Sequence, residues 1–174
     1  VETSILTRLD NFFAQNNLYD SNQFAFRKSS GTDLAITELM HHVNQALDKK
    51  KMIGIVFVDV KKAYDAINHD VLIEKLEASG VRGHALNLIK SYLSNRQQAI
   101  RIGNSLSEWS SINKGIGQGT NLGPLLFNLM MNDFKLLPLQ CKVIRYADDI
   151  AFFYTFSPED YDKFENIVRQ DMKN

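Results

Sequence analysis

The feature that most constrains the fold is a pair of adjacent carboxylates between two apolar stretches. Asp148 and Asp149 separate residues 142–146 from residues 150–154, and both stretches have the β-branched and aromatic character of buried strands. The pattern predicts a β-hairpin whose turn carries the carboxylates. Burying unpaired carboxylates is costly, so a pair between two apolar strands calls for a compensating cation. For an isolated Asp-Asp pair, however, a tight turn that uses Asp for local hydrogen bonds is the more common explanation.

A third carboxylate follows another apolar stretch. Residues 52–58 form a continuous apolar run of strand length, as expected for a strand buried on both faces, and the run ends at Asp59. If the two strands are neighbours in one sheet, Asp59 and Asp148 come together although 89 positions separate them. Converging carboxylates suit two hard cations that act in an in-line phosphoryl transfer. The third carboxylate therefore favours a metal site over a simple turn.

The remaining sequence predicts mainly helices. Apolar residues recur at helical spacing over 3–17, 33–49, 70–76, 85–93, 124–136 and 161–168. Ser30 and Asp33 match a capping box at the start of the second helix. That helix is expected to bury Ile36, Leu39, Met40, Val43 and Leu47. A second hairpin is expected over 97–113.

A glycine-rich stretch, residues 115–119, precedes the predicted helix that starts at Pro124. Glycines allow a backbone to approach a substrate closely. We expect the side-chain amide of Gln118, within this stretch, to be directed at a nucleotide or a template base. Together with the carboxylates, the stretch supports two-metal phosphoryl transfer.

Size and composition limit the alternatives. The 174 residues fit one domain, and no apolar run approaches the ~18 residues that cross a bilayer, so no membrane association is expected. A single cysteine, Cys141, excludes an internal disulfide and fits a reducing, intracellular compartment, with nucleus and cytoplasm both plausible. The net charge of zero argues against a simple nucleic-acid binder but not against a nucleic-acid enzyme, since metal-holding carboxylates cancel basic residues.

Three stretches resemble motifs A, B and C of reverse transcriptases, in that order along the chain. They are residues 57–65, residues 115–127, and residues 146–149, which read Tyr-Ala-Asp-Asp. Residues 23–33 resemble the segment that precedes motif A in reverse transcriptases of non-LTR retrotransposons. The similarity covers almost the whole chain and favours this branch over the group II intron enzymes.

The resemblance implies a polymerase palm with partial fingers in one domain over 1–174. The implied fold class is α+β, an antiparallel sheet with helices packed against one face. The palm is expected over 53–70 and 116–174, and the finger elements over 1–52 and 71–115. The implied reaction is RNA-directed DNA synthesis with two Mg²⁺ ions, for which Mn²⁺ is an alternative. The implied partners are an RNA template, a DNA primer or target DNA, dNTPs, a thumb domain and an endonuclease of the parent polyprotein.

The resemblance also assigns roles to single residues. Asp59 and Asp148 correspond to metal ligands, with Asp149 as the neighbouring carboxylate. Tyr64 corresponds to the aromatic side chain that excludes a 2′-hydroxyl, and a core tyrosine is the alternative.

Further correspondences concern substrate binding. Gln118 and Gly119 would shape the nucleotide and template pocket. Arg27 and Lys28 would contact nucleic acid through phosphate, and a structural ion pair is the alternative for Arg27.

The sequence departs from the family pattern at two positions and leaves rivals open. Gly117 stands where the family usually has Pro, and Thr120 where it usually has Ser. A basic fingertip stretch is expected before Val1 and a thumb after Asn174, so the chain alone is expected to be weak or inactive. The rivals are another palm-type polymerase, such as an intron-encoded reverse transcriptase or an RNA-templated RNA polymerase, and a domesticated or decayed fragment that only binds nucleic acid.

Overall fold

The order of helices and strands follows the sequence prediction over most of the chain. The computed structural model describes residues 2–173, and Val1 and Asn174, at the ends of the predicted domain, lie outside the described residues. The elements are α1 (Glu2–Gln15), α2 (Thr32–Asp48), β1 (Met52–Asp59), α3 (His69–Ala78), α4 (Gly83–Leu93), β2 (Arg96–Gln98), β3 (Arg101–Ile102), β4 (Ser105–Leu106), β5 (Ser110–Ile112), α5 (Gly123–Met130), β6 (Lys142–Tyr146), β7 (Asp149–Phe156) and α6 (Tyr161–Asp171). Short 3-10 helices, Met131–Leu136 and Pro158–Asp160, follow α5 and precede α6.

The chain divides into two compact units. The first unit contains the residues up to Leu18 and Lys62–Met131, and therefore α1, α3, α4, α5 and β2–β5. The second contains Tyr19–Lys61 and the residues from Asn132 onward, and therefore α2, α6 and the strands β1, β6 and β7. None of the helices within residues 2–173 is long and apolar enough to cross a membrane.

In the first unit, the predicted helix starts and the second hairpin are confirmed. The Asn68 side chain accepts hydrogen bonds from the backbone N–H of Asp70 and Val71, and so caps α3. Leu72 and Leu76 of this helix are fully buried. The hairpin consists of two short antiparallel ladders, β3 with β4 next to the turn and β2 with β5 further from it.

The second unit contains an antiparallel sheet with strand order β1-β7-β6, which confirms the α+β class. Ala35 of α2 packs against Ile144 and Phe153 on one face of the sheet. The Phe164 ring of α6 lies over Gly54 on the other face, where a Cβ atom would come within 2.5 Å of the ring. The helices therefore contact both faces of this sheet rather than one.

The structure corrects three local predictions. First, β1 is an edge strand of this sheet rather than a strand buried on both faces, and Phe57 is 72% exposed. Second, α2 turns Ala35 and Ala46 inward, so Ile36, Met40 and Leu47 are exposed, because the small side chains allow the helix to pack closely on the sheet.

The third correction concerns the start of α2. The Ser30 hydroxyl donates a hydrogen bond to the Phe24 carbonyl instead of capping the helix. Gly31 occupies the N-cap, and within the described chain no side-chain hydrogen bond caps this end. The predicted capping box is therefore wrong, because Ser30 bonds within the preceding loop.

Candidate active site

The sheet of the second unit brings two of the predicted carboxylates together. Asp59, the last residue of β1, is the register partner of Asp149, the first residue of β7. Residues directly opposite each other in antiparallel strands lie about 4.5–5.5 Å apart at Cα and share one face of the sheet. Both side chains are exposed, and Asp148, half-buried, precedes Asp149 in the turn.

This pair fits a hard cation. Like charges directly opposite each other destabilise a sheet, and a cation between them removes the repulsion. Among residues 2–173, no group of three or more His, Cys, Asp or Glu side chains is arranged to hold a metal by itself. Mg²⁺ is commonly bound by one or two carboxylates together with water and substrate phosphates. The arrangement therefore suits an ion whose coordination a phosphate-bearing substrate completes.

The turn that carries Asp148 has an unusual backbone. Tyr146 pairs with Asp149, so Ala147 and Asp148 form a two-residue loop. Ala147 has a φ of 56°, as the first central residue of a primed hairpin turn requires. This conformation costs a non-glycine residue roughly 1–2 kcal/mol, so other contacts must hold it.

The Gln23 side chain supplies those contacts. Its Oε1 atom accepts a hydrogen bond from the Ala147 N–H at 2.9 Å, and its Nε2 atom donates to the Ala147 carbonyl at 3.2 Å. Gln23 is 2% exposed. Gln23 begins the family-like segment 23–33, but its role was not predicted, because its partners are backbone groups of a distant residue.

Next to Gln23, a buried ion pair joins Asp20 to Arg145 of β6. Arg145 is 1% exposed and its guanidinium lies 5.1 Å from the centroid of the Phe134 ring. Burial lowers the pKa of Arg145, and the Asp20 carboxylate opposes that shift. Sequence analysis also missed this pair, although an arginine inside an apolar strand signals a buried charge that requires a partner.

Arg27 and Lys28, predicted to contact nucleic acid, lie in different environments. Arg27 is half-buried and donates to the backbone carbonyls of Asp20 (2.8 Å) and Gln23 (3.2 Å). Its guanidinium also lies 5.4 Å from the Tyr19 ring centroid. Lys28 is exposed. Arg27 thus stabilises the loop that contains Gln23, and the phosphate contacts of both residues stay predictions.

The remaining predicted site residues belong to the first unit. The half-buried Tyr64 ring stacks on Phe127 of α5, with 4.5 Å between centroids and 2° between planes. This contact fixes the orientation of the Tyr64 ring, which suits a steric role as well as a packing role.

The glycine-rich loop 115–119 follows the strand β5. Gly115 donates to the Ile67 carbonyl at 2.7 Å, and Ile116 donates to the Tyr64 carbonyl at 3.0 Å. Gln118 and Gly119 are exposed. The loop borders a cavity of about 780 Å³ whose lining includes Gln118 and the cations Arg96 and Lys114. An exposed amide beside two cations is chemically suited to a nucleotide or nucleic-acid backbone.

Comparisons with known proteins all point to one family. A family model described as reverse transcriptase (RNA-dependent DNA polymerase) matches residues 1–174. A probable RNA-directed DNA polymerase from transposon BS of Drosophila melanogaster is 32% identical over an alignment of 161 residues, and the match covers 88% of this chain and 18% of that protein. The RNA-directed DNA polymerase from mobile element jockey of Drosophila funebris is 30% identical over an alignment of 136 residues, and the match covers 74% of this chain and 15% of that protein.

A further relative and two solved structures extend the comparison. A Pol polyprotein from the type-1 retrotransposable element R2 of Popillia japonica is 27% identical over 69% of this chain and 22% of its own length. The chain thus spans about a fifth of these curated relatives. Two telomerase structures from Candida tropicalis share the fold. One has a TM-score of 0.66 at 16% identity, and the match covers 94% of this chain and 30% of that chain. The other has a TM-score of 0.65 at 14% identity, and the match covers 99% of this chain and 36% of that chain.

Proposed function

The chain belongs to the reverse transcriptase family, and we propose that it carries the polymerase centre of an RNA-directed DNA polymerase of a non-LTR retrotransposon. The observation that carries this proposal is the register pairing of Asp59 with Asp149 beside Asp148. The similarity to the BS, jockey and R2 proteins supports the retrotransposon assignment.

The proposed reaction is transfer of a nucleotide from a dNTP to a primer 3′-hydroxyl. Asp59, Asp148 and Asp149 would hold the divalent cations that the family uses, proposed here as two Mg²⁺ ions with Mn²⁺ as an alternative. Bound cations of this kind lower the pKa of an attacking hydroxyl and stabilise the leaving oxygen. The carboxylates therefore act by fixing the position of positive charge at the sheet end.

We assign the recognition of the nucleotide to the first unit. Gln118 and Gly119 are exposed on the glycine-rich loop and would contact the nucleotide and the template. Tyr64, oriented by Phe127, would exclude a ribose 2′-hydroxyl.

Arg27 and Lys28 belong to the second unit and would contact nucleic-acid phosphate. Lys28 has the more exposed side chain of the two.

The proposal extends to the parent protein. The palm over 53–70 and 116–174, and the finger elements over 1–52 and 71–115, would work with a thumb domain, and an endonuclease would supply the target site. The substrates would be an RNA template, a DNA primer or target DNA, and dNTPs. The proposed location is intracellular, in the cytoplasm and the nucleus.

A primer-extension assay with an RNA template, dNTPs and Mg²⁺ tests the proposal. It compares the chain with the Asp148→Ala variant, each alone and extended at both ends toward the length of the relatives. Asp162→Ala, which removes an exposed carboxylate from α6, is the matched control. We expect extension by the longer wild type and by the control, and a loss of about 10³-fold or more for Asp148→Ala. Extension by Asp148→Ala at the wild-type rate would contradict the metal assignment, and no extension by any folded form would favour the rival that only binds nucleic acid.

The choice between dNTPs and NTPs separates the proposal from an RNA-templated RNA polymerase. Tyr64→Ala should raise the incorporation of ribonucleotides relative to deoxyribonucleotides by about tenfold or more, because the ring no longer occupies the space of a 2′-hydroxyl. Tyr64→Phe keeps the ring and should keep the discrimination. Equal discrimination by wild type and Tyr64→Ala would leave Tyr64 as a packing residue.

A further inference from the structure

Gln23 is a buried polar side chain whose hydrogen bonds all go to the backbone. Its Oε1 atom accepts from the N–H of Ala147 at 2.9 Å and from the N–H of Ala25 at 3.0 Å. Its Nε2 atom donates to the Ala147 carbonyl at 3.2 Å. This one amide thus satisfies both backbone groups of a residue 124 positions away.

Ala147, the residue that Gln23 holds, has an uncommon backbone conformation. Ala147 has a φ of 56° and directly precedes Asp148. Primed two-residue turns usually have Gly, Asn or Asp where φ is positive, because those residues adopt it at low cost. An alanine in this conformation persists only where the surroundings determine it. The Gln23 amide is the contact that does so here.

Gln23 is itself fixed to β6 rather than carried on a loosely held loop. The Phe24 N–H donates to the Arg145 carbonyl at 2.9 Å, and the Arg145 N–H donates to the Asn22 carbonyl at 2.8 Å. Arg27 donates to the Gln23 carbonyl, and Asp20 pairs with the Arg145 side chain. The 19–27 segment and the turn therefore form one hydrogen-bonded assembly.

We infer that Gln23 is a positioning residue for the carboxylates: it holds the Ala147 peptide so that Asp148 and Asp149 are presented to a divalent cation in one arrangement. The inference rests on the proposed function, since it assumes that these carboxylates bind the cation. It adds a residue outside the three motifs, on a segment that precedes all of them in the sequence. Gln23 touches no reacting group and acts through the backbone of Ala147.

The test uses the folded chain and the variants Gln23→Met and Gln23→Glu. Methionine keeps the length of the side chain and removes its three hydrogen bonds, and glutamate keeps the acceptor but loses the donor to the Ala147 carbonyl. Gln45→Met, at an exposed position of α2, is the matched control. Amide hydrogen exchange at Ala147 is measured relative to the amides of α2, and Mn²⁺ affinity is measured well below the melting temperature. The Mn²⁺ affinity of Asp59→Asn is measured in parallel, because this variant removes a proposed metal ligand.

The expected result is local. In Gln23→Met the Ala147 amide should exchange about tenfold or more faster relative to α2, because a buried hydrogen bond is lost, and the Mn²⁺ dissociation constant should rise about three- to tenfold. Gln23→Glu should release the Ala147 amide less, and Gln45→Met should match the wild type. A merely structural role would accelerate exchange throughout the unit and leave the Mn²⁺ affinity of the folded protein unchanged.

The outcomes separate this inference from the proposed function. Wild-type Mn²⁺ affinity in Gln23→Met, with affinity lost in Asp59→Asn, would overturn the positioning role alone. Wild-type affinity in Asp59→Asn would overturn the metal assignment, and the exchange at Ala147 would then decide alone whether Gln23 fixes the turn. If Gln23→Met does not fold, Gln23→Glu replaces it in the affinity measurement: it loses only the donor to the Ala147 carbonyl, and a Mn²⁺ affinity equal to that of the wild type would then overturn the positioning role.

Discussion

The turn at 147–148 and the loop at 115–119 both leave regular backbone geometry, but different contacts hold them. In the turn, an alanine has a φ of 56°, and a side chain from a distant segment fixes its peptide groups. In the loop, glycines have the positive φ values, 87° at Gly115 and 78° at Gly119. The loop is held by backbone hydrogen bonds to Ile67 and Tyr64.

This difference shows which residues each region needs to keep its conformation. The turn is contacted by residues outside its motif, because Gln23 hydrogen-bonds the Ala147 peptide and Asp20 pairs with Arg145 of β6. The loop depends on residues inside its motif, because a Cβ atom at Gly115 would meet the backbone of Asp65. Substitutions should therefore affect the turn from a distance and the loop directly.

The largest effect is expected for Asp20→Ala, which breaks the ion pair with Arg145. The variant leaves a guanidinium that is 1% exposed without its carboxylate, and such losses cost about 3–5 kcal/mol of unfolding free energy. Urea unfolding of the chain measures this cost. Asp48→Ala, at the exposed end of α2, should change the free energy by no more than about 0.5 kcal/mol. Equal effects of the two variants would show that the ion pair between Asp20 and Arg145 does not stabilise the fold.

The second prediction compares two glycines of the loop. Gly115→Ala should cost about 2–3 kcal/mol, because the new methyl group would lie 3.0 Å from the Asp65 backbone at a positive φ. Gly119→Ala meets nothing within 4 Å, so it should cost only the conformational strain, about 1 kcal/mol. Thermal unfolding of both variants measures the difference. Equal destabilisation would show that backbone conformation, and not close packing, makes glycine necessary at 115.

The third prediction concerns Gly117 and Thr120, which contact each other. A Cβ atom at Gly117 would lie 2.7 Å from the Thr120 Cγ2 atom, and the Thr120 hydroxyl is fixed by donating to the Gly117 carbonyl at 2.8 Å. Gly117→Ala should therefore cost about 1–3 kcal/mol. Thr120→Ser removes the methyl group and keeps the hydroxyl, so the double variant should recover most of the loss. Additive effects in this double-mutant cycle would contradict the coupling.

Residue patterns were sufficient to predict most of the architecture. The hairpin around Asp148 and Asp149, the strand that ends at Asp59, and the helix over 70–76 were predictable, because the period of apolar residues is a property of neighbouring residues. The face of α2 that packs against the sheet was not predictable from the spacing of apolar residues. Its large apolar residues have helical spacing, but close packing against the sheet selected Ala35 and Ala46.

Some features of the candidate site were likewise predictable from the sequence, and others were not. The carboxylates and the glycine-rich loop were predictable as residue types that suit metal and nucleotide chemistry, whereas the pairing of Asp59 with Asp149 depends on strand register. Gln23 was not predictable, because its partners are backbone atoms 124 positions away and backbone atoms leave no trace in side-chain patterns. The coupling of Gly117 to Thr120 needs coordinates as well, although both positions stood out as departures from the family pattern.

The smallest expected effect tests whether the carboxylate end of the sheet is under electrostatic strain that the loop lacks. Asp59→Asn should raise the unfolding free energy by about 0.2–1 kcal/mol in metal-free buffer of low ionic strength, because it removes a like-charge pair across the strands. Glu108→Gln, an exposed carboxylate of the first unit, should have no effect. Near 1 M salt the gain should disappear, since the Debye length falls to about 3 Å. Mg²⁺ should reduce the gain as well, because the cation stabilises the wild type and not the variant. A loss of stability in Asp59→Asn under metal-free conditions would mean that Asp59 makes a stabilising contact, and the argument for a cation from charge repulsion would then fail.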